Sequence, residues 1–518
     1  MQLVRKYLNY IIFGVVVLLV VGLAVNHSRH MRALVDSLSS SDPSVRRAAA
    51  SELIAGEQFS DAITGEPIST RIQAAEALEV LGNDKAVKQL IAMLKDPDKP
   101  VRDRVTQALE KIGGNSDANI KELVVGLKDG DAYVRKGTIT ALTDPQNGIG
   151  PKPGVIAAIV DIMKREAGAR GPGGDVLGSP KFTQDVSARK ESVRLLTDQL
   201  KDKDDGVRGG AADALGKVGD PEAVATLKTV MHTDPSPSVR RIAIGAIALI
   251  ADKSGEDALT EAIKNPNDDS EARAQAAAGL GKIATPTAVA TLVQALNDDD
   301  LKLRSAAVAA LARAGRPTPN GPTNPQVIAA LNQALRDQRA SVRLGAAQAL
   351  QAIATPEANS GLIAVLESDQ GATEDADMKA AVRSAAATAL GFPGNKAAVA
   401  PLIKALSDPS GDVATAAQNA LVAIGPDATE ALIAVLRKGG TEALYAAKAL
   451  SSQGPSVLPA LKKAAGENNP TEQRWAAVAL GDLGVADARP VLEQLKSSSD
   501  PDVAYVAGQE LDKLGRTQ

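Results

Sequence analysis

The chain contains no cysteine. That excludes disulfides, thiolate metal sites and cysteine nucleophiles together. Histidine is nearly as scarce, with only His27, His30 and His232 in 518 residues. No HExxH pair, Ser/His/Asp set or phosphate-cradling glycine loop can be assembled from what is present. Aromatic residues make up 2% of the chain, including one tryptophan, while hydrophobic residues reach 44%. The core must therefore be built from Ala, Leu, Val and Ile, side chains that suit closely packed helices. Neither sign of charge dominates. With 58 basic and 62 acidic residues the net charge is −4, which gives no electrostatic footing for general nucleic-acid binding. From these absences we expect no catalytic residue, no metal, no cofactor and no small-molecule substrate.

What is present is repetition. A Val-Arg pair, a small-residue pair and a Leu eight residues after the Val recur along the chain. Val45-Arg46 leads to Leu53, Val101-Arg102 to Leu109, Val207-Arg208 to Leu215 and Val342-Arg343 to Leu350. The spacing is mostly 29 to 33 residues, the signature of stacked structural repeats. Within Pro221 to Ala251, Val224, Leu227 and Val230 share one face of a first helix, and Asp234-Pro235-Ser236-Pro237 breaks it. Ser238 is expected to cap a second helix carrying Val239, Ala243, Ala246 and Ile250 at helical spacing. Glycines near the ends of second helices (Gly82, Gly113, Gly219, Gly425, Gly484) fit left-handed C-terminal caps. The Val position recurs at 45, 70, 101, 134, 207, 239, 272, 303, 342, 382, 413, 442, 472 and 503. Between 134 and 207 at least one degenerate unit is expected, with helix assignment open over 154–200. Insertions are expected at 143–153, 167–186, 315–325 and 367–377. The third of these lies in a Gly/Pro-rich stretch, the second contains the Gly-rich run Gly168 to Gly178, and the last is acidic.

Residues 7–25 form an apolar run of nineteen residues, close to the roughly 20 needed to span a bilayer. It predicts a transmembrane signal anchor after a short basic tail at 1–6, with a juxtamembrane stretch at 26–31. The rival reading is a cleaved signal peptide, which the length of the run disfavours. Basic residues flank both sides, so their count does not choose an orientation. The very short tail favours a single-pass topology with the large domain exported.

Arg follows the Val position ten times, and six of these arginines have Asp four residues earlier. These pairs are Asp42/Arg46, Asp98/Arg102, Asp131/Arg135, Asp204/Arg208, Asp269/Arg273 and Asp300/Arg304. Asp at a helix start caps free N–H groups, and Arg one turn on can bridge to the Asp of its own or the next unit. We expect a structural Asp/Arg ladder. The last four units lose the Arg, with Ala414, Ala443, Gln473 and Ala504 in its place. There Tyr445 and Trp475 replace a small residue, and Tyr505 stands one residue earlier in register. Tyr and Trp are favoured interface anchors, so Tyr445, Trp475 and Tyr505 are candidate partner-binding residues.

The stretches Asp98 to Gly113 (DKPVRDRVTQALEKIG) and Asp204 to Gly219 (DDGVRGGAADALGKVG) resemble the HEAT-repeat family. They are most similar to the short Ala-rich bacterial type known from phycobilisome lyases. The resemblance covers roughly 32–515 and leaves 516–518 as a tail. It implies an all-α fold, a right-handed α-solenoid of about 14 HEAT-like helix pairs; from the apolar run, this solenoid is preceded by one transmembrane helix. The resemblance also implies a non-catalytic scaffold whose partner is another protein. The apolar run, which departs from the soluble lyases, adds the membrane and the lipid bilayer, and the charge balance adds no nucleic acid. The alternative the resemblance carries is a lyase-like factor handling a tetrapyrrole or a similar protein modification.

Overall fold

The computed structural model describes residues 28–56, 59–152, 154–316, 323–367 and 376–517. The apolar run at 7–25 lies outside the described residues, as do most of the two expected insertions at 315–325 and 367–377. Every described element is an α-helix or a 3₁₀ turn, with no strand among the described residues. The chain divides into two units, one ending at Gly255 and one beginning at Glu256.

In the first unit a helix at 28–38 precedes Pro43–Ala55. The following pairs are Phe59–Ile63 with Ile68–Leu81, Asp84–Met93 with Lys99–Ile112, and Asp117–Val125 with Ala132–Thr143. Then come Val155–Arg165 with Arg170–Leu177, Val186–Gln199 with Asp205–Val218, and Val224–Thr233 with Pro237–Ile250. Second helices stack on second helices and first on first. The five-residue helix Phe59–Ile63 accounts for the short interval between Val45 and Thr70.

In the second unit the second helices are Ser270–Ile283, Leu301–Gly315, Ala340–Ile353, Ala376–Leu390, Gly411–Ile424, Thr441–Ser452, Pro470–Leu483 and Pro501–Thr517. The run Gly411–Lys438 is long and apolar enough to cross a membrane by composition. It is two helices of adjoining pairs, interrupted at Gly425 by a backbone turn with φ +81°. Its apolar residues Val413, Leu421, Leu432 and Leu436 are buried in the stack.

All fourteen expected Val positions fall in second helices. The helix Asp205–Val218 shows why. Val207, Ala211, Leu215 and Val218 recur every three or four residues and are buried. Each buried Val or Leu contributes about 1.5–3 kcal/mol relative to exposure. The Asp204 carboxylate accepts from the Val207 N–H and Gly219 ends the helix in the left-handed region. Small residues let neighbouring second helices approach closely. A Cβ on Gly216 would stand 2.8 Å from Ala246 Cα, and one on Gly281 would stand 2.6 Å from Ala310 Cβ.

Four expectations are corrected. First, the stretch 167–186 is not a loose insertion. Arg170–Leu177 is the second helix missing from the gap, paired with Val155–Arg165, and Val186–Gln199 is the first helix of the next pair. Its glycines are set by packing: a Cβ on Gly173 would meet Met163 Cγ at 2.5 Å, and one on Gly178 would meet the Lys217 carbonyl at 2.8 Å. Second, Gly82, Gly219 and Gly484 form left-handed caps, but Gly113 has φ −60° and Gly425 falls outside that region at ψ −140°. Third, Ala251, Ala284 and Ala354 take the left-handed cap without being glycine. Fourth, the helix around Val239 begins at Pro237, so Ser236 rather than Ser238 is its N-cap residue.

Candidate functional site: the second-helix surface

The arginine after each Val position sits one turn into its helix. In seven of the ten its Nη1 folds back and donates to turn carbonyls five or six residues earlier, whereas Arg71, Arg273 and Arg383 turn to carboxylates of the next unit. Arg46 reaches Ser40 and Ser41, Arg102 reaches Asp96 and Pro97, and Arg135 reaches Asp129 and Gly130. Arg208 reaches Asp202 and Lys203, Arg304 reaches Asp298, and Arg343 reaches Asp337 and Gln338. The guanidinium thus closes its own unit's turn.

The Asp four residues earlier mostly does another job. Asp42, Asp131, Asp204, Asp269 and Asp300 each accept from backbone N–H groups at their helix start. Asp98 makes no such cap; it accepts from Arg71 Nη2 at 2.5 Å. The carboxylates that bridge successive units stand two residues before the cap. Arg71 pairs with Asp96, Arg208 with Asp234, Arg273 with Asp298 and Arg383 with Asp408. The expected own-unit bridge is therefore replaced by a carbonyl clamp. The bridge to the next unit lands mainly on an aspartate the sequence pattern passed over. Each of these aspartates also accepts from the N–H two residues on, which shapes the turn that presents it. A guanidinium fork holding both a carboxylate and carbonyls uses its donors well. The Arg208 guanidinium, hydrogen-bonded to Asp234, holds that carboxyl below the usual range, and Arg208 itself is raised.

In the last units the chemistry changes sign. At the buried Val position stands Glu472, 1% exposed, and Arg437 of the first helix Thr429–Lys438 clasps it at 2.8 and 3.2 Å. Gln473, in the Arg position, donates to the Glu467 carbonyl six residues back, reproducing the turn clamp with an amide. Ahead of Thr441–Ser452 the turn shrinks to Gly439-Gly440, both with positive φ.

The three candidate aromatics lie on successive second helices that pack on one another. Tyr505 is 67% exposed and its hydroxyl accepts from Gln509 Nε2. Tyr445 and Trp475 are half-buried. The Tyr445 hydroxyl reaches toward Gly411 on the preceding second helix, 3.9 Å from where a Cβ would stand. The Trp475 indole N–H is buried without a partner, and Arg474 lies over its ring at 5.7 Å. Sequence reasoning missed Leu444, 39% exposed beside Tyr445. No cluster of three His, Asp or Glu residues able to hold a metal occurs among the described residues. His30 pairs instead with Glu52 at 2.7 Å.

A family model for HEAT repeats matches residues 56–143, 183–236, 226–312, 370–451 and 429–512, more than half of the chain. The protein belongs to the HEAT-repeat family. Among solved structures it is similar to Kap121p, at 15% identity over 95% of this chain and 54% of that one, with a TM-score of 0.36. It is also similar to the karyopherin Kap121p bound to the SUMO protease Ulp1p (13% identity, 94% of this chain, 74% of that one, TM-score 0.34). A third is importin beta (14%, 95%, 79%, TM-score 0.36). The chain spans about half the length of the Kap121p structure it matches at 54%. At these TM-scores the likeness adds nothing to the family assignment. Comparison with curated proteins gives no match.

Proposed function

We propose that this chain is a membrane-anchored, non-catalytic HEAT-repeat scaffold that holds another protein on its second-helix surface, with its C-terminal repeats as the docking stretch. The anchor is residues 7–25 and the repeats lie on the exported side. The observation that carries the docking reading is the change of surface in the last three second helices. There Leu444, Tyr445, Trp475 and Tyr505 stand where most earlier repeats present small, polar or charged residues such as Ala416, Gly345 and Gly210, with Ile72, Ile242 and Leu344 the large exceptions. A ring serving only as filler is expected to be fully enclosed with its polar atom paired. Tyr505 is mostly exposed, and Trp475 leaves its N–H unpaired.

A photo-crosslinking residue at Tyr505, compared with one at Asp103 in the first unit, tests this in native membranes. A discrete crosslinked protein at 505 and none at 103 is the expected result. Equal, diffuse crosslinking at both positions would remove the docking stretch. Extraction of the chain by alkaline carbonate would remove the anchor.

A further inference from the structure

The first helix pair carries exposed arginines besides its ladder arginine, as later repeats do at Arg313 and Arg336. Beyond this pair the ladder guanidiniums are taken up by turn carbonyls and aspartates. Arg29 and Arg32 of helix 28–38 and Arg47 of Pro43–Ala55 are exposed, and none pairs with a carboxylate among the described residues. Arg29 and Arg32 are three residues apart and share one side of their helix. The nearby acid Glu52 is engaged by His30, which ties the two helices together at that end. Val45, two residues before Arg47, is 40% exposed.

Chain length fixes where these charges sit relative to the apolar run. Arg29 follows Val25 by four residues, at most about 14 Å even if fully extended. Arg32 lies one helical rise of about 4.5 Å further on. If residues 7–25 span a bilayer, both guanidiniums are therefore held at or beside the headgroup layer. Guanidinium is weakly hydrated and matches phosphate bidentately.

We propose that Arg29 and Arg32 dock the first repeat onto the phosphate headgroups of anionic lipids in the leaflet from which the apolar run emerges. The inference rests on the anchor reading above. Its consequence is that lipid charge sets how the first repeat lies against the membrane, and so how the repeats behind it are presented.

Because the chain lacks cysteine, Ala33→Cys gives a single labelling position on the exposed part of helix 28–38. The full chain carrying a dye there is placed in nanodiscs of phosphatidylcholine alone or mixed with phosphatidylglycerol. Shielding of the dye from aqueous iodide is expected to be several-fold greater in the anionic discs and to fall with added salt. Arg29→Gln and Arg32→Gln together should abolish the difference while leaving the melting curve unchanged. Equal shielding in both lipids, with the chain still in the discs, overturns the docking proposal alone. A chain that does not stay with the discs overturns the anchor, and the proposal with it.

Discussion

The arginine-bearing repeats and the last repeats solve one problem in two ways. Each must close the turn before a second helix and fix that helix against the next. Arg208 does both with one side chain, clamping the Asp202 and Lys203 carbonyls and reaching Asp234 of the next unit. In the C-terminal repeats the tasks are divided. Gln473 clamps a carbonyl, Gly439-Gly440 shortens a turn, and the ion pair is inverted, with the acid Glu472 on the second helix and Arg437 on the first. Division frees the second-helix surface from the arginine row. The surface so freed is where Leu444, Tyr445, Trp475 and Tyr505 appear. The ladder is thus a constraint on what a repeat can display.

The sharpest way to break this comparison is to remove one member of each kind. Arg208→Ala leaves the Asp234 carboxylate buried without its partner and frees the turn carbonyls. Removing one partner of a buried pair costs about 3 kcal/mol or more, so a clear drop in melting temperature is expected. Gln473→Ala loses one neutral hydrogen bond, about 1 kcal/mol. Equal losses in the two melting curves would show that the arginines carry no double duty.

Acid sharpens the same contrast. Asp234 is held below its ordinary value by the hydrogen bond from Arg208, and Asp298, despite burial that pushes it up, is lowered by Arg273. A carboxyl whose folded pKa is depressed contributes stability that is complete above its unfolded value, near 3.9. That contribution is lost as pH falls through the lower folded value. Thermal stability should therefore decline from about pH 4 downward. Arg208→Ala should show a shallower decline than wild type, since Asp234 then loses the cause of its depression. A parallel decline in both proteins would contradict the assignment.

How far the sequence could be read follows from which forces are local. The Val positions were legible because a helical stripe with a fixed period is local information, and each of them lies in a second helix. The bridging aspartates were present in plain view as Asp96-x-Asp98, Asp234-x-Ser236, Asp298-x-Asp300 and Asp408-x-Ser410. They were passed over because the pairing spans 25 or 26 residues and depends on how neighbouring helices stack. Helix Arg170–Leu177 was missed for the opposite reason. Its glycines are poor helix formers, and the close approach of Met163 requires Gly173, as that of Lys217 requires the following Gly178. The register shift between Tyr505 and its counterparts Tyr445 and Trp475 was visible. One residue turns a side chain by about 100° on a helix, in keeping with one exposed ring and two half-buried ones.

A smaller effect separates the caps. Ala354 holds φ +54° where other repeats place glycine, and a left-handed alanine costs about 1–2 kcal/mol. Glycine relieves that strain but makes the unfolded chain more flexible, which returns about 0.4–1 kcal/mol. Ala354→Gly should accordingly raise stability by about 0.5–1 kcal/mol, and Gly219→Ala should lower it by a similar amount. Chemical denaturation with unchanged m-values would check both. A destabilised Ala354→Gly would mean that the alanine side chain is held there by packing.

The smallest expected change in stability belongs to the residue with the largest expected consequence for binding. Tyr505 is mostly exposed, and its one hydrogen bond is to the exposed Gln509. Tyr505→Ala should therefore leave the melting curve within about 0.5 kcal/mol of wild type. If the ring anchors a partner, the same substitution should cost about 2 kcal/mol of binding, roughly thirtyfold in affinity. Trp475→Ala cannot separate the two roles, because its ring is half-buried and its indole N–H fully buried. The informative measurement is affinity for the protein crosslinked at position 505, set beside the melting temperature of each variant. Unchanged affinity for Tyr505→Ala, with binding lost only in variants that also melt early, would return the aromatics to a purely structural role. The freed surface would then have no occupant at its most exposed ring.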